Sequence, residues 1–300
     1  MSTSAGSSGT YCSRTSQNVS GRTCERVVNV AYNRAMPSHP DTQAPHPLRV
    51  AFLGSGSSGN AAAITDGTTT VLVDCGFSAR ETVRRLEGLG IDAANVSAIL
   101  VTHEHTDHTR GIAVFARRFG SAVWATRGTR RGSRLDADAA DVRTLAAGDA
   151  VTVGTLSVLP FRISHDAQEP VGYRIEGACG ARIGIATDTG TFTAEAAEAL
   201  SGCDVVGLEC NHDLDMLETG PYPWFLKQRI ASTRGHLSNP DAADALEQIS
   251  SDRLREVCAL HLSRTNNTHV LAREALEGRL AQLGLDVTVT AVTQDGAHAR

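Results

Sequence analysis

The chain has 300 residues, of which 41% are hydrophobic and 20% are charged, as in ordinary globular proteins. Its formal net charge of −5 argues against an overall field that attracts nucleic acid, although it leaves a local basic patch open. No apolar run approaches the ~18 residues of a membrane-spanning helix, so no membrane partner is expected. The seven cysteines are scattered, odd in number and without a CxxC pair. This pattern disfavours a disulfide framework or a thiolate zinc site and favours a reducing, cytoplasmic location.

The start of the chain differs in composition from the rest. It contains eight serines and four of the nine prolines, with almost no apolar periodicity. Residues 1–47 are therefore predicted to be a disordered N-terminal tail, followed by one folded domain over residues 48–300. Two alternatives for the tail stay open, an organelle transit peptide and an over-long start with Met36 as the initiator.

The domain begins with a strand-like run, LRVAFL (48–53), which leads into GSGSSGN (54–60). The glycines of this loop satisfy GxGxxG, a pattern that invites a dinucleotide-binding interpretation. That fingerprint requires a helix to follow. Instead, two β-rich runs flank Asp66-Gly67, which is typical of a hairpin. We therefore interpret the glycines as part of a tight loop.

Helix and strand patterns alternate along the rest of the chain. Ser78 and Glu81 form a capping box that opens a helix ending near Gly88 or Gly90. Asn239-Pro240 is predicted to be an N-cap followed by proline at the first helical position. Strand-rich blocks mixed with β–α alternation indicate sheets covered by helices. The other predicted strands are 97–102, 121–126, several runs between 142 and 188, DVVGLEC, EVCALHLS and LDVTVTAV, and the other predicted helices are 111–120, 194–200, 222–231, 239–249 and 268–282.

The stretch VTHEHTDHTRG (101–111) places three histidines and two carboxylates directly behind an apolar run. Buried groups of this kind must be paired or neutralised. In extended backbone, His103 and His105 point to the same side and can hold one ion, and the turn that follows directs Asp107 and His108 towards a second. Nitrogen and oxygen donors without cysteine suit zinc, manganese or iron. The alternative, a solvated loop with incidental histidines, does not explain the HxHxDH spacing.

Three further candidate ligands stand at the ends of later β runs. They are His165 in FRISHDAQEPVGY, Asp188 in ARIGIATDTG and His261 in VCALHLSRTNN. Each of them alone could be a hydrogen-bonded structural residue, as most buried polar side chains are. Their shared placement at strand ends favours one site that also contains the HxHxDH cluster.

Taken together, THEHTDH with Gly111, His165, ATDTG and HLS resemble the metallo-β-lactamase superfamily over about residues 48–300. The resemblance implies an α/β fold, the four-layer αββα sandwich, with a dinuclear metal site along one edge of its two sheets. It implies one metal held by His103, His105 and His165, a second held by Asp107, His108 and His261, and Asp188 as the bridge. True lactamases usually carry cysteine at the bridging position. A carboxylate there is similar to the phosphodiesterase, nuclease and thioester-hydrolase branches.

A narrower resemblance is to the YycJ/WalJ group of bacterial metallo-hydrolases. Members of this group are regarded as DNA nucleases with 5′→3′ exonuclease activity. The resemblance therefore implies a metal-dependent phosphodiester hydrolase that uses two divalent ions, Zn²⁺ or Mn²⁺, and that acts on nucleic acid, with DNA as the expected substrate. It rests on GSGSSGN (54–60), HDAQEPVGY (165–173), LECNHDLDML (208–217), GPYPWFLKQRI (220–230), GHLSN (235–239) and HLSRTNN (261–267).

Two more residues are assigned by resemblance to tRNA-processing nucleases, which carry a glutamate after a strand and a histidine in a GHS-like motif. Glu209 and His236 stand at the matching positions. The resemblance implies that they deliver a proton to the leaving group, which a departing alkoxide requires. The alternative is that His236 only caps the following helix. His212 and Asp213 could either line the site or be structural.

The basic residues allow two interpretations. TRGTRRGSR (126–134) could follow a phosphate backbone, but Asp136, Asp138 and Asp141 follow closely and fit an ordinary solvated surface. Lys227, the only lysine of the chain, and Arg229 could anchor a phosphate or could simply be solvated.

Other functions compete with nucleic-acid hydrolysis. A thioester hydrolase of the glyoxalase II type uses the same ligands, but its C-terminal substrate-binding region is not recognisable here. An oxygen-reducing di-iron protein would use Glu104, but no flavin-binding domain is recognised after it. A non-catalytic, metal-stabilised nucleic-acid-binding module is disfavoured by the complete ligand set. The processive RNA-degrading branch needs an inserted domain of ~100 residues, whereas only 72 residues separate Asp188 from His261.

Overall fold

Two β-sheets lie face to face in the computed structural model, which describes residues 47–133, 135, 139 and 141–296. In each sheet an antiparallel meander leads into parallel strands, which begin at β3 in the first sheet and at β10 in the second. The six strands of the first sheet lie in chain order: β1 (Arg49–Gly54), β2 (Ala61–Thr65), β3 (Thr70–Val73), β4 (Val96–Leu100), β5 (Ala122–Ala125) and β6 (Val142–Thr144). The seven strands of the second sheet run from one edge to the other in reverse chain order: β13 (Thr288–Ala291), β12 (Glu256–Leu260), β11 (Val205–Glu209), β10 (Arg182–Ala186), β9 (Val171–Glu176), β8 (Leu156–Arg162) and β7 (Val151–Val153).

Helices connect the strands and cover the outer faces of both sheets. The first sheet is followed or interrupted by α1 (Ala79–Gly88), a 3₁₀ turn (Ala93–Asn95), α2 (Thr106–Thr109), α3 (Ile112–Phe119) and α4 (Arg127–Gly132). The second carries α5 (Ala194–Leu200), α6 (Leu214–Thr219), α7 (Trp224–Ile230), α8 (Asn239–Ile249) and α9 (His269–Gln282). Within the part of the chain that the structure describes, no helix combines the length and the apolar composition needed to cross a membrane.

The core has three apolar layers, and the alternation of side chains along the strands creates them. In β4, Leu100 points into the cluster between the sheets, whereas Ile99 packs with Phe115 of α3 on the outer side. The second sheet is covered in the same way, with Leu246 of α8 packed in the outer cluster. Strands buried on both faces explain why their sequences are apolar without interruption. The resulting order of helix, sheet, sheet and helix confirms the predicted αββα sandwich.

The loop of glycines after β1 leads into a strand and not into a helix. β1 and β2 pair in antiparallel fashion, and β2 and β3 pair in the same way around Asp66-Gly67. The hairpin interpretation is therefore confirmed, and the dinucleotide fingerprint lacks the helix that it requires. Ser78 is the N-cap of α1, since its side chain accepts a hydrogen bond from the backbone N–H of Glu81 at 3.3 Å. The predicted capping box is incomplete, because the Glu81 carboxylate pairs with Arg84 and Arg85 instead of the Ser78 backbone.

The predicted start of α8 was wrong by one residue. Ser238 is the N-cap, because its hydroxyl accepts from the backbone N–H of Asp241 at 3.2 Å and the Asp241 side chain closes the capping box. Asn239 is the first helical residue, and its buried amide pairs instead with Asn267. The short helices α2, α4 and α6 were not predicted, because one or two turns carry too little periodicity to be recognised in a sequence.

The parallel strands of both sheets end at the edge that carries the polar residues of interest. Asp74 follows β3, His103 follows the end of β4, Asp188 follows β10, Glu209 ends β11 and His261 follows β12. The carboxyl ends of parallel strands are where sites form in α/β sheets. The predicted tail over residues 1–47, except Pro47, lies outside the described residues, so the domain boundary at residue 48 stays a prediction.

Candidate metal centre

The backbone is in a left-handed conformation at three residues of this edge. Asp74, Asp188 and His261 have φ of 61°, 55° and 53°, and among the described residues they are the non-glycine positions with positive φ. Such a conformation costs about 1–3 kcal/mol per residue and persists where the surrounding structure imposes it, often at functional sites. Asp74 and His261 directly follow buried parallel strands and Asp188 stands two residues after one, so the sheets hold the side chains in this unusual direction.

The first predicted ligand set is brought together. One ring nitrogen each from His103, His105 and His165 lies within 4.8 Å of the others. The closest pair is His165 Nε2 and His105 Nδ1, which are 3.3 Å apart. His103 is completely buried, and its Nε2 has no hydrogen-bond partner.

The second predicted set lies beside the first. The single turn α2 carries Asp107 and His108, and it turns both towards His261 on the opposite sheet. Asp107 Oδ2 is 3.6 Å from His108 Nε2 and also 3.6 Å from His261 Nε2. Like that of His103, the Nε2 atom of His261 is buried without a hydrogen-bond partner. Asn60, from the glycine loop, reaches this set, with its amide nitrogen 3.1 Å from His108 Nε2.

Asp188 lies between the two sets. Its Oδ2 is 3.2 Å from His108 Nε2, and its Oδ1 is 3.5 Å from His261 Nε2 and 3.9 Å from His165 Nε2. It also groups with His103 and His108 as a possible common donor set. The structure therefore brings all seven sequence-predicted ligands to one place, with Asp188 in the position that a bridge would need. Their role as ligands stays a prediction.

His108, His165 and His261 are each oriented through their second ring nitrogen, a feature that the sequence did not reveal. His108 Nδ1 is 2.7 Å from Asp74 Oδ2, and His165 Nδ1 is 3.1 Å from the Gly235 carbonyl. His261 Nδ1 is 3.2 Å from Glu209 Oε1. Because an acceptor holds the proton on Nδ1, the lone pair on Nε2 is free to bind an ion. Asp74 was missed in the sequence, where its only signal is that it ends the apolar run TVLV.

His105 faces His165 through Nδ1, and its Nε2 lies 3.8 Å from Asp166 Oδ1, which is beyond hydrogen-bond distance. The other carboxylate oxygen, Asp166 Oδ2, accepts from Arg229 of α7 at 2.6 Å. Arg229, which was considered as a phosphate anchor, is therefore tied to the carboxylate beside the first histidine set.

The protein groups alone leave the centre rich in negative charge. Burial by itself would raise the pKa of Asp188, but His261 and His108 hold that pKa well below its usual range. Burial would likewise lower the pKa of His261, but Asp188 and the neighbouring carboxylates raise it to about 10. Burial and the adjacent His108 hold the pKa of His103 well below its usual range. The buried carboxylates are stabilised by a nearby positive charge. A divalent cation supplies that charge when it replaces the protons on the histidine rings.

The proposed proton-donating pair is in direct contact. His236 Nδ1 is 2.7 Å from Glu209 Oε1, and Glu209 is completely buried. Burial would raise the pKa of Glu209, but His236 and the hydrogen bonds to the carboxylate lower it to about 2. The alternative role of His236 as a helix cap is wrong, since Ser238 caps α8.

Three other sequence candidates do not join the centre. Asp213 caps α6 by accepting from the backbone N–H of Met216 at 2.9 Å, and the buried ring of His212 contacts Asn211 Oδ1 at 3.3 Å. Glu104 accepts from the backbone N–H of Gln168 at 2.8 Å and belongs to none of the donor groups found in the described residues. The arginine-rich stretch forms α4, and its Arg134 lies outside the described residues.

A cleft of about 210 Å³ opens beside the centre. His165 and His236 line one side of it, and Tyr222, Arg229 and Ile230 line the α7 side. The cleft gives an extended substrate access to the nitrogen of His236 that Glu209 does not occupy.

The residues fit a divalent cation on two observations. Two buried imidazole nitrogens, His103 Nε2 and His261 Nε2, have no partner in the protein, although such atoms normally do. The converging donors are nitrogen and carboxylate oxygen, which are the ligands of zinc and manganese sites in proteins.

Comparison with known proteins agrees with this geometry. The family model described as Beta-lactamase superfamily domain matches residues 69–262. The exodeoxyribonuclease YycJ of Bacillus anthracis is 34% identical over 245 residues, which cover 80% of this chain and 92% of the relative. The chain belongs to the metallo-β-lactamase superfamily. The exodeoxyribonuclease WalJ of Streptococcus pneumoniae serotype 2 (strain D39) is also 34% identical, over 81% of this chain and 91% of the relative.

A solved structure shows the same fold. The metallo-β-lactamase fold protein YhfI from Bacillus subtilis superposes with a TM-score of 0.66 at 15% identity, covering 83% of this chain and 98% of its own. The resemblance that the motifs indicated, to the metallo-β-lactamase superfamily and to its YycJ/WalJ group, is thereby confirmed. The family and the clustered histidines and aspartates together indicate divalent-metal binding.

Replacement of Asp188 by alanine tests the donor assignment. Because Asp188 contacts members of both sets, its loss should remove at least one ion per chain and leave buried imidazoles without a counter-charge. Metal content after dialysis, measured by mass spectrometry, provides the readout. Glu104→Gln is the matched control, because Glu104 lies in the same HxHxDH loop but outside the donor groups. Full metal content in Asp188→Ala, or metal loss in Glu104→Gln, would contradict the assignment.

Proposed function

We propose that this protein is a metal-dependent nuclease that hydrolyses phosphodiester bonds in DNA, as a 5′→3′ exonuclease with two bound Zn²⁺ or Mn²⁺ ions. The observation that carries the proposal is the position of the His236–Glu209 pair, 2.7 Å apart, beside the donor centre and on the wall of the cleft. The curated relatives over most of the chain are named exodeoxyribonucleases, which supports the substrate class.

Seven side chains would hold the ions. His103, His105 and His165 would bind one, Asp107, His108 and His261 the other, and Asp188 would contact both. Bound there, divalent cations would acidify a water molecule and offset negative charge on the phosphoryl oxygens.

The chain's own residues would orient the water and supply the proton. Asp107 and Asp188 present carboxylate oxygens to the space between the two histidine sets, where they can accept hydrogen bonds from the attacking water. His236 donates its Nδ1 proton to Glu209, so the proton available for transfer is on Nε2. Burial by itself lowers the pKa of His236, but the Glu209 carboxylate outweighs it and raises that pKa. The Glu209 carboxylate thus favours the protonated form of His236, which can deliver a proton to the departing alkoxide.

Thioester hydrolysis of the glyoxalase II type is not favoured by this arrangement. A thiolate is a stable leaving group and needs no proton donor, because an ordinary thiol has a pKa of about 8.5. The contact between Glu209 and His236 would then have no function in proton transfer to the leaving group. A non-catalytic binding module would also not require this pair.

Digestion of end-labelled single-stranded DNA and RNA tests the proposal as a whole. We expect label at the 5′ end of DNA to be released before internal products accumulate, RNA to be cut more slowly, and a chelator to abolish both reactions. Metal analysis of the same preparation should give about two ions per chain. Hydrolysis of a glutathione thioester without DNA cleavage would favour the alternative, and release of 3′ label first would refute the polarity.

Removal of His236 separates the proton donor from the metal centre. His236→Ala should keep its metal content, because His236 is outside the seven predicted ligands, but should lower kcat on DNA by about 10²–10⁴-fold. His236 also lies within reach of a possible donor group with Asp188, Glu209 and His261, so its metal content decides between the two roles. The loss should be much smaller on a nitrophenyl phosphodiester, because its leaving anion is stable without a proton. Paired measurements of kcat and bound metal provide the readout, with His269→Ala on α9 as an exposed control. Equal losses on both substrates, or loss of metal, would make His236 a ligand or a structural residue.

Glu209 has a wider role than the sequence implied, and Glu209→Gln should reveal it. Glu209 Oε1 is close to Nδ1 of both His236 and His261, and Oε2 accepts from the backbone N–H of Thr189 at 2.7 Å. Glutamine can keep its oxygen towards Thr189, but its NH₂ then faces both rings and moves their protons to Nε2. A protonated His261 Nε2 cannot bind an ion, so metal affinity should fall by about 10–100-fold.

A competitive chelator titration measures that affinity. The result expected is weaker metal binding in Glu209→Gln and unchanged metal binding in His236→Ala. If Glu209→Gln binds metal like the wild type and only slows the reaction, Glu209 acts on His236 alone.

A further inference from the structure

Helix α7 differs from the other four helices that accompany the second sheet because none of its residues is buried. Its first two residues are Trp224, 74% exposed, and Phe225, 71% exposed. Single exposed apolar residues are ordinary on protein surfaces. Adjacent exposed aromatic rings on a helix that packs no side chain into the core are not explained by folding.

The same segment forms one wall of the cleft. Tyr222, which precedes the helix, lines the cleft together with Arg229 and Ile230. With about 100° between successive residues, Phe225 lies on the Arg229 side of the helix, one turn earlier. The Trp224 side chain, also in the first turn, lies on the side of the helix away from Arg229. Because Leu226, Arg229 and Ile230 line the cleft, Phe225 lies to the side of that face and Trp224 lies on the opposite face of the helix, so of the three rings Tyr222 is the one that lines the cleft. We refer to residues 222–230 as the aromatic lip.

Polar contacts hold the aromatic lip at the centre. The hydroxyl of Tyr222 donates to Thr265 Oγ1 at 3.2 Å, and Lys227 Nζ donates to the Glu218 carbonyl at 2.6 Å. The backbone N–H of His236 donates to the Ile230 carbonyl at 2.9 Å. Gly235 approaches so closely that a Cβ there would lie 2.1 Å from the same carbonyl. The rings are therefore presented at a defined position relative to the proton donor.

Cationic side chains stand on this wall, one of them paired with a carboxylate. Lys227, the only lysine of the chain, and Arg229 stand on α7, and Arg229 is paired with Asp166 at 2.6 Å. Arg234 lies next to them, where its Nε donates to the His165 carbonyl at 3.1 Å. Aromatic rings beside cations are the combination by which proteins bind single-stranded nucleic acid, through base stacking and backbone attraction. A partner protein could pack on the exposed rings, but binding a protein would not require α7 to form a wall of the cleft.

We propose that the aromatic lip binds single-stranded DNA by stacking unpaired bases on Tyr222, Phe225 and Trp224, so that the strand leaving His236 passes over α7. This inference rests on the proposed function and adds where the rest of the substrate binds. Bases in a duplex are already stacked on one another. The aromatic lip therefore gives the enzyme a preference for single-stranded or frayed ends.

The test compares two oligothymidylates with cleavage-resistant phosphorothioate linkages, one complete and one in which bases are replaced by abasic sites. Affinities are measured by fluorescence anisotropy on the metal-loaded protein. Removal of one stacking ring is expected to weaken binding by about tenfold. The Trp224→Ala/Phe225→Ala variant should therefore bind the complete strand at least tenfold more weakly. It should bind the abasic strand like the wild type, because the backbone contacts remain.

Val114→Ala is the matched control, since Val114 is a comparably exposed apolar residue, at 54%, on α3 of the other sheet. It should not change either affinity. The chain has two tryptophans, and Trp124 is only partly exposed. Addition of the complete strand should therefore quench Trp224 fluorescence, and the quenching should vanish in Trp224→Leu. Metal content and melting temperature of each variant verify that it is folded.

Three outcomes would overturn the inference: unchanged affinity in the double variant, equal weakening for the complete and abasic strands, or conversion of a dimer to a monomer with DNA affinity retained. The last would make the aromatic lip an interface between copies of the chain. If the protein binds the strand but does not hydrolyse ordinary DNA, the proposed function is wrong and the binding role of the aromatic lip is not. If the double variant cleaves DNA and binds it with unchanged affinity, the proposed nuclease function is supported and the proposed binding role of the aromatic lip is refuted.

Discussion

The histidines of the centre depend on hydrogen bonds made by the ring nitrogen that faces away from it. Asp74 orients His108, the Gly235 carbonyl orients His165, and Glu209 orients His261. With Nδ1 engaged in this way, the Nε2 atoms face one buried volume, where those of His103 and His261 have no protein partner. Buried polar atoms without partners are destabilising. A bound cation removes that penalty, so metal binding and the folded arrangement of the rings stabilise each other.

The two packed sheets stabilise the strained backbone that positions the residues of the centre. Asp74, Asp188 and His261 adopt left-handed backbone conformations at the ends of β3, β10 and β12. The cost, about 1–3 kcal/mol for each residue, is offset by strands that are packed on both faces. Because the strained residues lie on opposite sheets, the distance between them is set by the apolar layer that separates the sheets.

Glu209 connects the parts of the site that would otherwise be independent. Its carboxylate reaches His261 of the donor centre, His236 on the cleft wall and the backbone of Thr189, which follows Asp188. His236 in turn is bound through its backbone to Ile230 at the end of α7. The donor centre, His236 and α7 are therefore one contiguous hydrogen-bonded unit.

The sequence by itself determined two kinds of feature: those that depend on neighbouring residues, and those that a resemblance to known families indicates. The spacing of HxHxDH indicates ligands because neighbouring residues have a fixed geometry, and the hairpin at Asp66-Gly67 follows from turn chemistry. Their placement at the ends of β runs identified His165, Asp188 and His261 as candidates, and the resemblance to tRNA-processing nucleases identified Glu209 and His236. Only the tertiary structure decided which acceptor orients each ring, since Asp74 and His108 are 34 residues apart and Glu209 and His261 are 52 apart. It also decided that Ser238 caps α8 and that the rings of α7 remain exposed, because these properties depend on how distant segments pack, which no local pattern encodes.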